Sequence, residues 1–329
     1  MKCLKQRLAA VAAGCVLASS ATVHAGAGDA PYPVKPIRGI VGFSPGGATD
    51  IMARALGAKL SEVFGQQMIV DNRAGGGGVI AATMAKTAPP DGYTIFFGTI
   101  STLAANVATN PQLPYDPLRD FAPITMTSYN PYLLVVHPSV PAKSVKEFIA
   151  LARAKPGQIN YASSGTGGGA HLAMELFRSM AKLDMVHVPY KGAAPSMVDL
   201  VGGQVQMTFA QPSVSLAHVK AGKLRALGVT GPKAIAAWPD APPISQAGVP
   251  GFEATSWQGV VAPLKTPKPI IDRLYGEIVK ALNSPDMRAK LAADSSEVGG
   301  MPPAQFGQFI AKEIAKWKQV VKDANIKVE

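Results

Sequence analysis

The chain has 329 residues, of which 47% are hydrophobic and 16% are charged, and its net charge is +11. Charged residues make up about a quarter of an ordinary soluble domain, so this composition excludes a chain that is disordered as a whole. The 33 glycines and 28 prolines follow no three-residue period, which excludes collagen and favours many turns between strands and helices. A length of this order predicts about two domains.

Residues 1–25 have the pattern of a secretory signal peptide. Lys2, Lys5 and Arg7 precede a short apolar stretch, and the small residues before a cut after Ala25 complete the pattern. The sequence therefore predicts export to the periplasm. Because the cut removes three positive charges and no negative ones, the net charge would fall from +11 to +8.

Both cysteines, Cys3 and Cys15, lie before the predicted cut. The mature chain would then have no disulfide bond and no cysteine ligand for a metal. A lipoprotein signal that ends at Cys15 is an alternative, although the bulky aliphatic residue expected upstream of such a cysteine is missing.

Apolar runs rich in Val, Ile and Phe alternate with stretches of helical period, which predicts an α/β fold with largely parallel sheets. The predicted strands are residues 37–43, 68–71, 93–98, 132–137, 159–163, 185–189, 205–209 and 224–230. Helical spacing begins near Met52 and Leu172, a capping-box pattern begins at Ser144, and an amphipathic helix lies near the end of the chain.

A unit of strand, glycine-rich loop and helix occurs at residues 37–64 and again at residues 159–183. This repetition suggests one unit in each of two domains. We expect residues 26–126 and 249–329 to form domain 1, and residues 127–248 to form domain 2.

The first glycine-rich loop follows a strand and opens a helix. Its residues are Phe43, Ser44, Pro45, Gly46, Gly47, Ala48, Thr49 and Asp50. The unpaired N–H groups of a first helical turn, together with the helix dipole, form an anion site, and Thr49 adds a hydroxyl donor. Asp50 suits a cap on the helix better than a contact with an anion. A tight turn without any ligand is the alternative.

The same loop contains the G-x-S-x-G pattern of a serine hydrolase, with Ser44 as the nucleophile. The next residue is Pro45, which has no N–H group to donate to an oxyanion. The loss of one such donor raises the barrier by about 3–4 kcal/mol. An exported serine hydrolase that uses Ser44 is therefore kept only as an alternative.

The second glycine-rich loop repeats the first. Its residues are Ser163, Ser164, Gly165, Thr166, Gly167, Gly168, Gly169, Ala170 and His171. Part of it matches the dinucleotide fingerprint, but the acid expected at the end of the next strand is missing, so no cofactor is predicted. Two facing anion sites favour a small molecule with two carboxylates, or with one carboxylate and a polar group. Ser101 and His171 are further candidates for contact with a ligand between these two sites.

Other classes of site are disfavoured. The histidines have no paired-ligand spacing, so no metal is expected. The basic residues form no stripe interleaved with aromatic residues, which disfavours nucleic-acid binding. The glycine run at residues 75–78 is predicted to be a surface turn rather than a phosphate cradle.

Several short motifs follow one another along the chain. They are Tyr32-Pro33, Lys35-Pro36-Ile37-Arg38, Pro45-Gly46-Gly47-Ala48-Thr49-Asp50, Asp71-Asn72-Arg73, Pro90-Asp91-Gly92-Tyr93-Thr94, Tyr115-Asp116-Pro117, Asp120-Phe121-Ala122-Pro123-Ile124, His187-Val188-Pro189-Tyr190-Lys191-Gly192 and Trp317. In this order the chain resembles the Bug-type solute receptors, which are the periplasmic binding proteins of tripartite tricarboxylate transporters.

The resemblance implies a two-domain type II periplasmic binding protein with a hinged interdomain cleft and no enzymatic activity. It implies capture of a small carboxylate, such as a di- or tricarboxylate or an aromatic carboxylate, for delivery to membrane transporter subunits. We expect a monomer. A solute sensor that acts through a partner protein is an alternative.

The resemblance also implies ligand contacts in both loops. The implied residues are Ser44, Gly46, Gly47, Ala48 and Thr49 in the first loop and Ser163, Ser164, Gly165 and Thr166 in the second. The candidate set is completed by Phe43, Asp50, Ser101, His171 and Gln211. Thr166 stands where the family often has Asn. The pair Ala210-Gln211 replaces a frequent acidic-polar pair, which disfavours an amino acid as the ligand.

Overall fold

The strands form two sheets in the computed structural model, which describes residues 32–235, 238–293 and 295–323. The predicted signal peptide lies outside the described residues. The strands are β1 (Ile37–Val41), β2 (Met68–Asn72), β3 (Thr94–Thr99), β4 (Phe121–Pro131), β5 (Leu133–Val136), β6 (Asn160–Ser163), β7 (Val186–Pro189), β8 (Met207–Ala210), β9 (Arg225–Val229), β10 (Thr255–Pro263) and β11 (Glu297–Val298). The first sheet has the order β11-β4-β10-β3-β1-β2, and the second has the order β7-β6-β8-β5-β9.

Helices cover both sheets. They are α1 (Ala48–Phe64), α2 (Val79–Lys86), α3 (Asn106–Thr109), α4 (Pro117–Asp120), α5 (Val145–Ala154), α6 (Gly169–Ala181), α7 (Ala193–Val201), α8 (Pro212–Lys220), α9 (Lys268–Leu282), α10 (Pro285–Ala293) and α11 (Pro303–Asp323). A 3-10 turn at Gly76–Gly78 precedes α2, and a π-helical turn at Ser101–Ala105 precedes α3. None of the described helices is long and apolar enough to cross a membrane.

The sheets are mixed, so the prediction of largely parallel sheets is wrong. In the first sheet β1 runs parallel to β2 and β3, whereas β10 runs antiparallel to β3 and β4. In the second sheet β6 is parallel to β7 and β8, whereas β5 is antiparallel to β8 and β9. Parallel neighbours need a long crossover connection, which the helices after β1 and β6 supply. Only Tyr132 separates β4 from β5, so β5 enters the second sheet without a crossover.

The second sheet is covered on both faces, and this explains the apolar run Leu133-Leu134-Val135-Val136 in β5. Successive side chains of a strand point to opposite faces. Leu134 and Val136 belong to one buried cluster, and Leu133 and Val135 belong to another. A strand that is buried on both faces is therefore continuously apolar rather than alternating.

The chain passes between the sheets twice, and the two passages are hydrogen-bonded to each other. Tyr132 joins β4 to β5, and Thr230 follows β9 on the way back to β10. The Tyr132 N–H group donates to Thr230 Oγ1 at 2.8 Å, and the Thr230 N–H group donates to the Tyr132 carbonyl oxygen at 3.0 Å. The predicted domain boundaries, near residues 127 and 249, stay a prediction.

Candidate functional site

A cavity of about 630 Å³, a volume that includes its opening to solvent, lies at the glycine-rich loops. Seven of the predicted site residues line it: Phe43, Gly47, Ala48, Thr49, Ser101, Ser164 and Gln211. Sequence reasoning missed the other lining residues, which are Thr99, Ile100, Tyr132, Ala170, Ala193, Ser196, Met197, Thr208, Phe209, Ala210 and Ser256. The described residues of the wall have many hydroxyl groups and include no Lys, Arg, His, Asp or Glu.

The first loop turns sharply and then starts α1 at the cavity wall. Gly46 has a φ of +81°, which favours glycine, and the Gly47 N–H group donates to the Ser44 carbonyl oxygen at 3.4 Å. Gly47 is the N-cap of α1, and no side chain caps this helix end. The positive end of α1 therefore reaches the cavity at Ala48 and Thr49.

The second loop has the same geometry, which confirms the predicted repetition. Gly167 has a φ of +74°, and the Gly168 N–H group donates to the Gly165 carbonyl oxygen at 3.2 Å. Gly168 is the N-cap of α6 with φ/ψ of −71°/163°, close to the −77°/165° of Gly47. Gly168 has no side chain to cap α6, but Ser101 Oγ accepts the Gly169 N–H group of the first turn at 2.8 Å, and Ala170 in the same turn lines the cavity.

A third helix end at the cavity is absent from the sequence prediction. α7 begins at Ala193, which lines the cavity, and its N-cap is Gly192 with a φ of +145°. The Ser44 N–H group donates to the carbonyl oxygen of Lys191 at 3.3 Å, so α7 is held against the first loop. The signal was present, because Gly192 also follows a predicted strand and precedes a helix.

Asp50 supports the first loop from inside the protein. Its Oδ2 accepts the Gly46 N–H group at 2.9 Å, and its Oδ1 accepts the Asn72 side-chain amide at 3.0 Å. Arg54 donates to the same carboxylate at 2.9 Å. Burial raises the pKa of Asp50, but the hydrogen bonds from Arg54, Gly46 and Asn72 outweigh it and hold that pKa below its usual value.

His171 supports the second loop in a comparable way. Its Nδ1 accepts the Gly167 N–H group at 3.1 Å, and its ring stacks on His187 with 4.0 Å between centroids. The Nε2 of His187 lies 2.7 Å from Ser163 Oγ. Burial lowers the pKa of His171 to about 4. Burial, together with repulsion by a charged His171, lowers the pKa of His187 to about 3. Both rings are therefore neutral at pH 7.

Half of the predicted site residues do not reach the cavity wall. They are Ser44, Gly46, Asp50, Ser163, Gly165, Thr166 and His171. Asp50 and His171 hold the loops, and the Ser163 hydroxyl is occupied by His187 and by its own loop. Their direct contact with a ligand stays a prediction.

The two sides of the cleft touch each other close to the cavity. The Gly169 N–H group donates to Ser101 Oγ at 2.8 Å, and a Cβ atom on Gly77 would lie 2.8 Å from the carbonyl oxygen of Thr166. Gly77 and Gly78 are buried, so the prediction of a surface turn at residues 75–78 is wrong for these two. The run is glycine-rich because the second loop packs directly on its backbone.

Two neutral hydroxyl groups are notable in the wall. Thr99 is 6% exposed and its Oγ1 has no hydrogen-bond partner among the described residues. Burial raises the pKa of Tyr132 to about 12, so its hydroxyl stays protonated and can donate. Helix N-termini and neutral hydroxyl donors, in a wall whose described residues include no cation, suit a small anionic group.

Within the described part of the chain, Ser44 Oγ is buried without a hydrogen-bond partner, so no base is in place to activate it. The same part of the chain contains no group of three His, Cys, Asp or Glu residues that could hold a metal.

Comparison with known proteins gives consistent matches. The model of the tripartite tricarboxylate transporter family receptor matches residues 52–326. The protein BugT of Bordetella pertussis is 36% identical over 299 residues, which cover 91% of this chain and 92% of that protein. A solved R. palustris protein with adipate is 38% identical with a TM-score of 0.87, covering 90% of this chain and 99% of the other. MatC from Rhodopseudomonas palustris with bound malate is 32% identical with a TM-score of 0.85, covering 88% and 100%.

Proposed function

The chain belongs to the tripartite tricarboxylate transporter receptor family, and we propose that it captures a small carboxylate in the cavity between its two glycine-rich loops for uptake. The family consists of periplasmic solute-binding receptors rather than enzymes. A serine hydrolase is therefore set aside.

One observation carries the proposal: three helices, α1, α6 and α7, begin at one cavity, and each has a glycine at its N-cap. Each N-terminus has a partial positive charge and N–H groups without a partner in the helix, although that of Gly169 donates to Ser101 Oγ. A carboxylate among them would be stabilised by hydrogen bonds of about 1.5–3 kcal/mol each, so several must act together to give micromolar affinity.

The ligands of similar proteins support this choice. Adipate and malate, found with the two R. palustris proteins, are both small carboxylates. The absence of any acidic side chain in the cavity wall disfavours a ligand with an amino group, because nothing there would pair with a cation.

The finer parts of the proposal concern export and motion. The chain would be exported, cut near Ala25 and act as a monomer in the periplasm before it meets transporter subunits. Residues 26–126 with 249–329 and residues 127–248 would move as two domains, with the passages at Tyr132 and Thr230 as the hinge.

The test is a binding screen on protein that has been unfolded, freed of solute and refolded. Native mass spectrometry of protein taken directly from the periplasm would identify a bound acid. A thermal-shift panel of mono-, di- and tricarboxylates and aromatic carboxylates should then contain at least one acid that raises the melting temperature. A panel in which no acid changes the melting temperature contradicts the proposal.

A further inference from the structure

A second cavity adjoins the first along α1. Its volume is about 390 Å³ including its opening, and we call it the α1 chamber; it is lined chiefly by Ala48, Met52, Ala55, Ser213, Gln258 and Met287. Ala48 lines both cavities. From Ala48 to Ala55 the helix rises by about 10 Å, so the chamber extends well beyond the loops.

Residues on two further elements connect the cavities. Ser256 and Gln258 lie two positions apart on β10 and face the same side of the sheet; Ser256 lines the main cavity and Gln258 lines the chamber. At the start of α8, Gln211 lines the main cavity and Ser213 lines the chamber. The two cavities therefore adjoin where the Gln211 side-chain amide donates to Ser256 Oγ at 2.9 Å, and a ligand anchored in the main cavity would reach Gln258 and Ser213 past this pair.

The α1 chamber contains two unpaired polar groups. Gln258 is 5% exposed, and its Oε1 has no hydrogen-bond partner among the described residues. Ser213 Oγ is also buried and has no hydrogen-bond partner among the described residues. Buried polar atoms are nearly always paired, so each unpaired one calls for a partner that is absent from the chain itself. Around them Ile51, Met52 and Met287 supply an apolar wall.

We propose that the solute is an elongated monocarboxylate with a hydroxyl group at its far end, and that this hydroxyl occupies the α1 chamber. A hydroxyl group donates one hydrogen bond and accepts others, so it pairs with Gln258 Oε1 and with the Ser213 hydroxyl together. The apolar wall suits a saturated linker between the two ends. The inference rests on the proposed function, because the carboxylate end must be held in the main cavity.

A second carboxylate is the competing end group. The exposed Lys290 also lines the chamber, and its ammonium group would attract an anion. However, an ionised carboxylate has no proton to donate to Gln258 Oε1, and it could pair with this residue only through the NH2 group after the amide had turned over. Lys290 is in contact with solvent, where water and salt screen its charge. The orientation of the buried Gln258 amide, with Oε1 unpaired, therefore favours the hydroxyl group.

Isothermal titration of solute-free protein with 6-hydroxyhexanoate, hexanoate and hexanedioate tests the inference. The hydroxy acid should bind about tenfold more tightly than either of the other two. In Gln258→Leu the preference for 6-hydroxyhexanoate over hexanoate should disappear, and Ser213→Ala should reduce it. Gln204→Leu, which changes an exposed residue that lines neither cavity, is the matched control and should keep the preference.

The outcomes separate this inference from the proposed function. Equal affinity for the hydroxy acid and hexanoate, tightest binding of hexanedioate, or an unchanged preference in both variants would overturn the inference alone. Binding of short acids with no binding of any six-carbon acid would also overturn it. If no carboxylate of any length binds, the proposed function fails as well.

Discussion

Asp50 and His171 have equivalent positions in the two loops, although one is an acid and the other a neutral imidazole. Each accepts the backbone N–H group of the glycine four residues before it, Gly46 at 2.9 Å and Gly167 at 3.1 Å. Each of these glycines has a positive φ and precedes the glycine that caps a helix. Two different side chains thus stabilise the same turn.

The first prediction concerns this support at His171. In His171→Phe the ring stack on His187 is retained, but the buried Gly167 N–H group loses its acceptor. An unsatisfied buried donor costs about 1–3 kcal/mol, so the free energy of unfolding should fall by that amount and ligand affinity should fall with it. Urea unfolding and isothermal titration measure both. His218→Phe, on α8 and outside the wall of the main cavity, should leave affinity unchanged; an equal loss there would contradict the assigned role.

The second prediction separates binding from folding at Thr99. Because its hydroxyl has no partner among the residues that the structure describes, Thr99→Val should leave the solute-free protein as stable as before or slightly more stable. If the ligand carboxylate uses that hydroxyl, affinity should fall by about 1.5–3 kcal/mol.

Thr125→Val is the matched control for Thr99→Val. Thr125 Oγ1 donates to the carbonyl oxygen of Met301 at 2.8 Å, and Thr125 does not line the cavity. This variant should therefore lose stability and keep its affinity for ligand. Unchanged affinity in Thr99→Val would remove Thr99 from the site.

The third prediction concerns the turn that brings α7 to the first loop. Gly192 has a φ of +145°, and a Cβ atom there would lie 2.4 Å from Ser44 Oγ and 2.9 Å from the Ser44 nitrogen. Gly192→Ala should therefore destabilise the fold and weaken binding, because both the backbone strain and the clash displace the first loop. Differential scanning calorimetry and titration measure these losses.

Gly276 provides the comparison for Gly192. It lies within α9, and a Cβ atom there meets nothing within 4 Å. Gly276→Ala should raise the free energy of unfolding by up to about 1 kcal/mol, because alanine favours a helix, and should leave binding unchanged. A similar response of the two variants would contradict the packing described for Gly192.

The fourth prediction is a loss of stability in mild acid. His171 and His187 have folded-state pKa values of about 4 and about 3, lowered by burial from 6.5, with Tyr161, Glu175 and Arg178 packed around them. Between these values and 6.5 the unfolded chain binds protons that the native chain does not. The stability that these two histidines contribute is therefore fully present above pH 6.5, and the free energy of unfolding should decrease as the pH falls towards 4.

Urea unfolding at about pH 7 and about pH 5 measures this decrease. In His171→Phe one of the two histidines is gone, so the decrease should be smaller than in the wild-type protein. An equal decrease in both proteins would show that other groups dominate the pH dependence.

Much of the fold could be predicted because short-range sequence patterns determine its strands and helices. All eight predicted strands are present within a few residues, and the family resemblance is confirmed by the family match. One of the two hydrogen bonds of the predicted capping box is confirmed, since Ser144 Oγ accepts the Glu147 N–H group at 3.2 Å. The Glu147 side chain instead accepts the N–H group of Lys143.

The missed strands have a common physical reason. β4 and β10 carry buried polar residues such as Thr125, Thr127, Ser128, Ser256 and Gln258, which pair across the sheet or line cavities. Apolar runs and strict alternation are the signals of a strand, and these strands have only short stretches of either: residues 124–127 alternate in β4, and residues 260–262 are apolar in β10. β11 has only two residues, Glu297–Val298, which is too short for any periodic pattern.

The site could be predicted only where one segment of chain builds it. Glycines between a strand and a helix indicated both loops. Thr99, Tyr132 and Ser256 reach the same cavity from β3, the passage between sheets and β10. Their meeting is a property of the sheet order, which local sequence does not encode.

The most direct test of the account compares an acid with its uncharged isostere. The tightest ligand from the carboxylate panel and its primary amide should be titrated into the same solute-free protein. Because the helix N-termini stabilise a negative charge, the account predicts that the acid binds at least about tenfold more tightly than the amide. Equal affinity of the two would contradict a site in which helix ends hold a carboxylate.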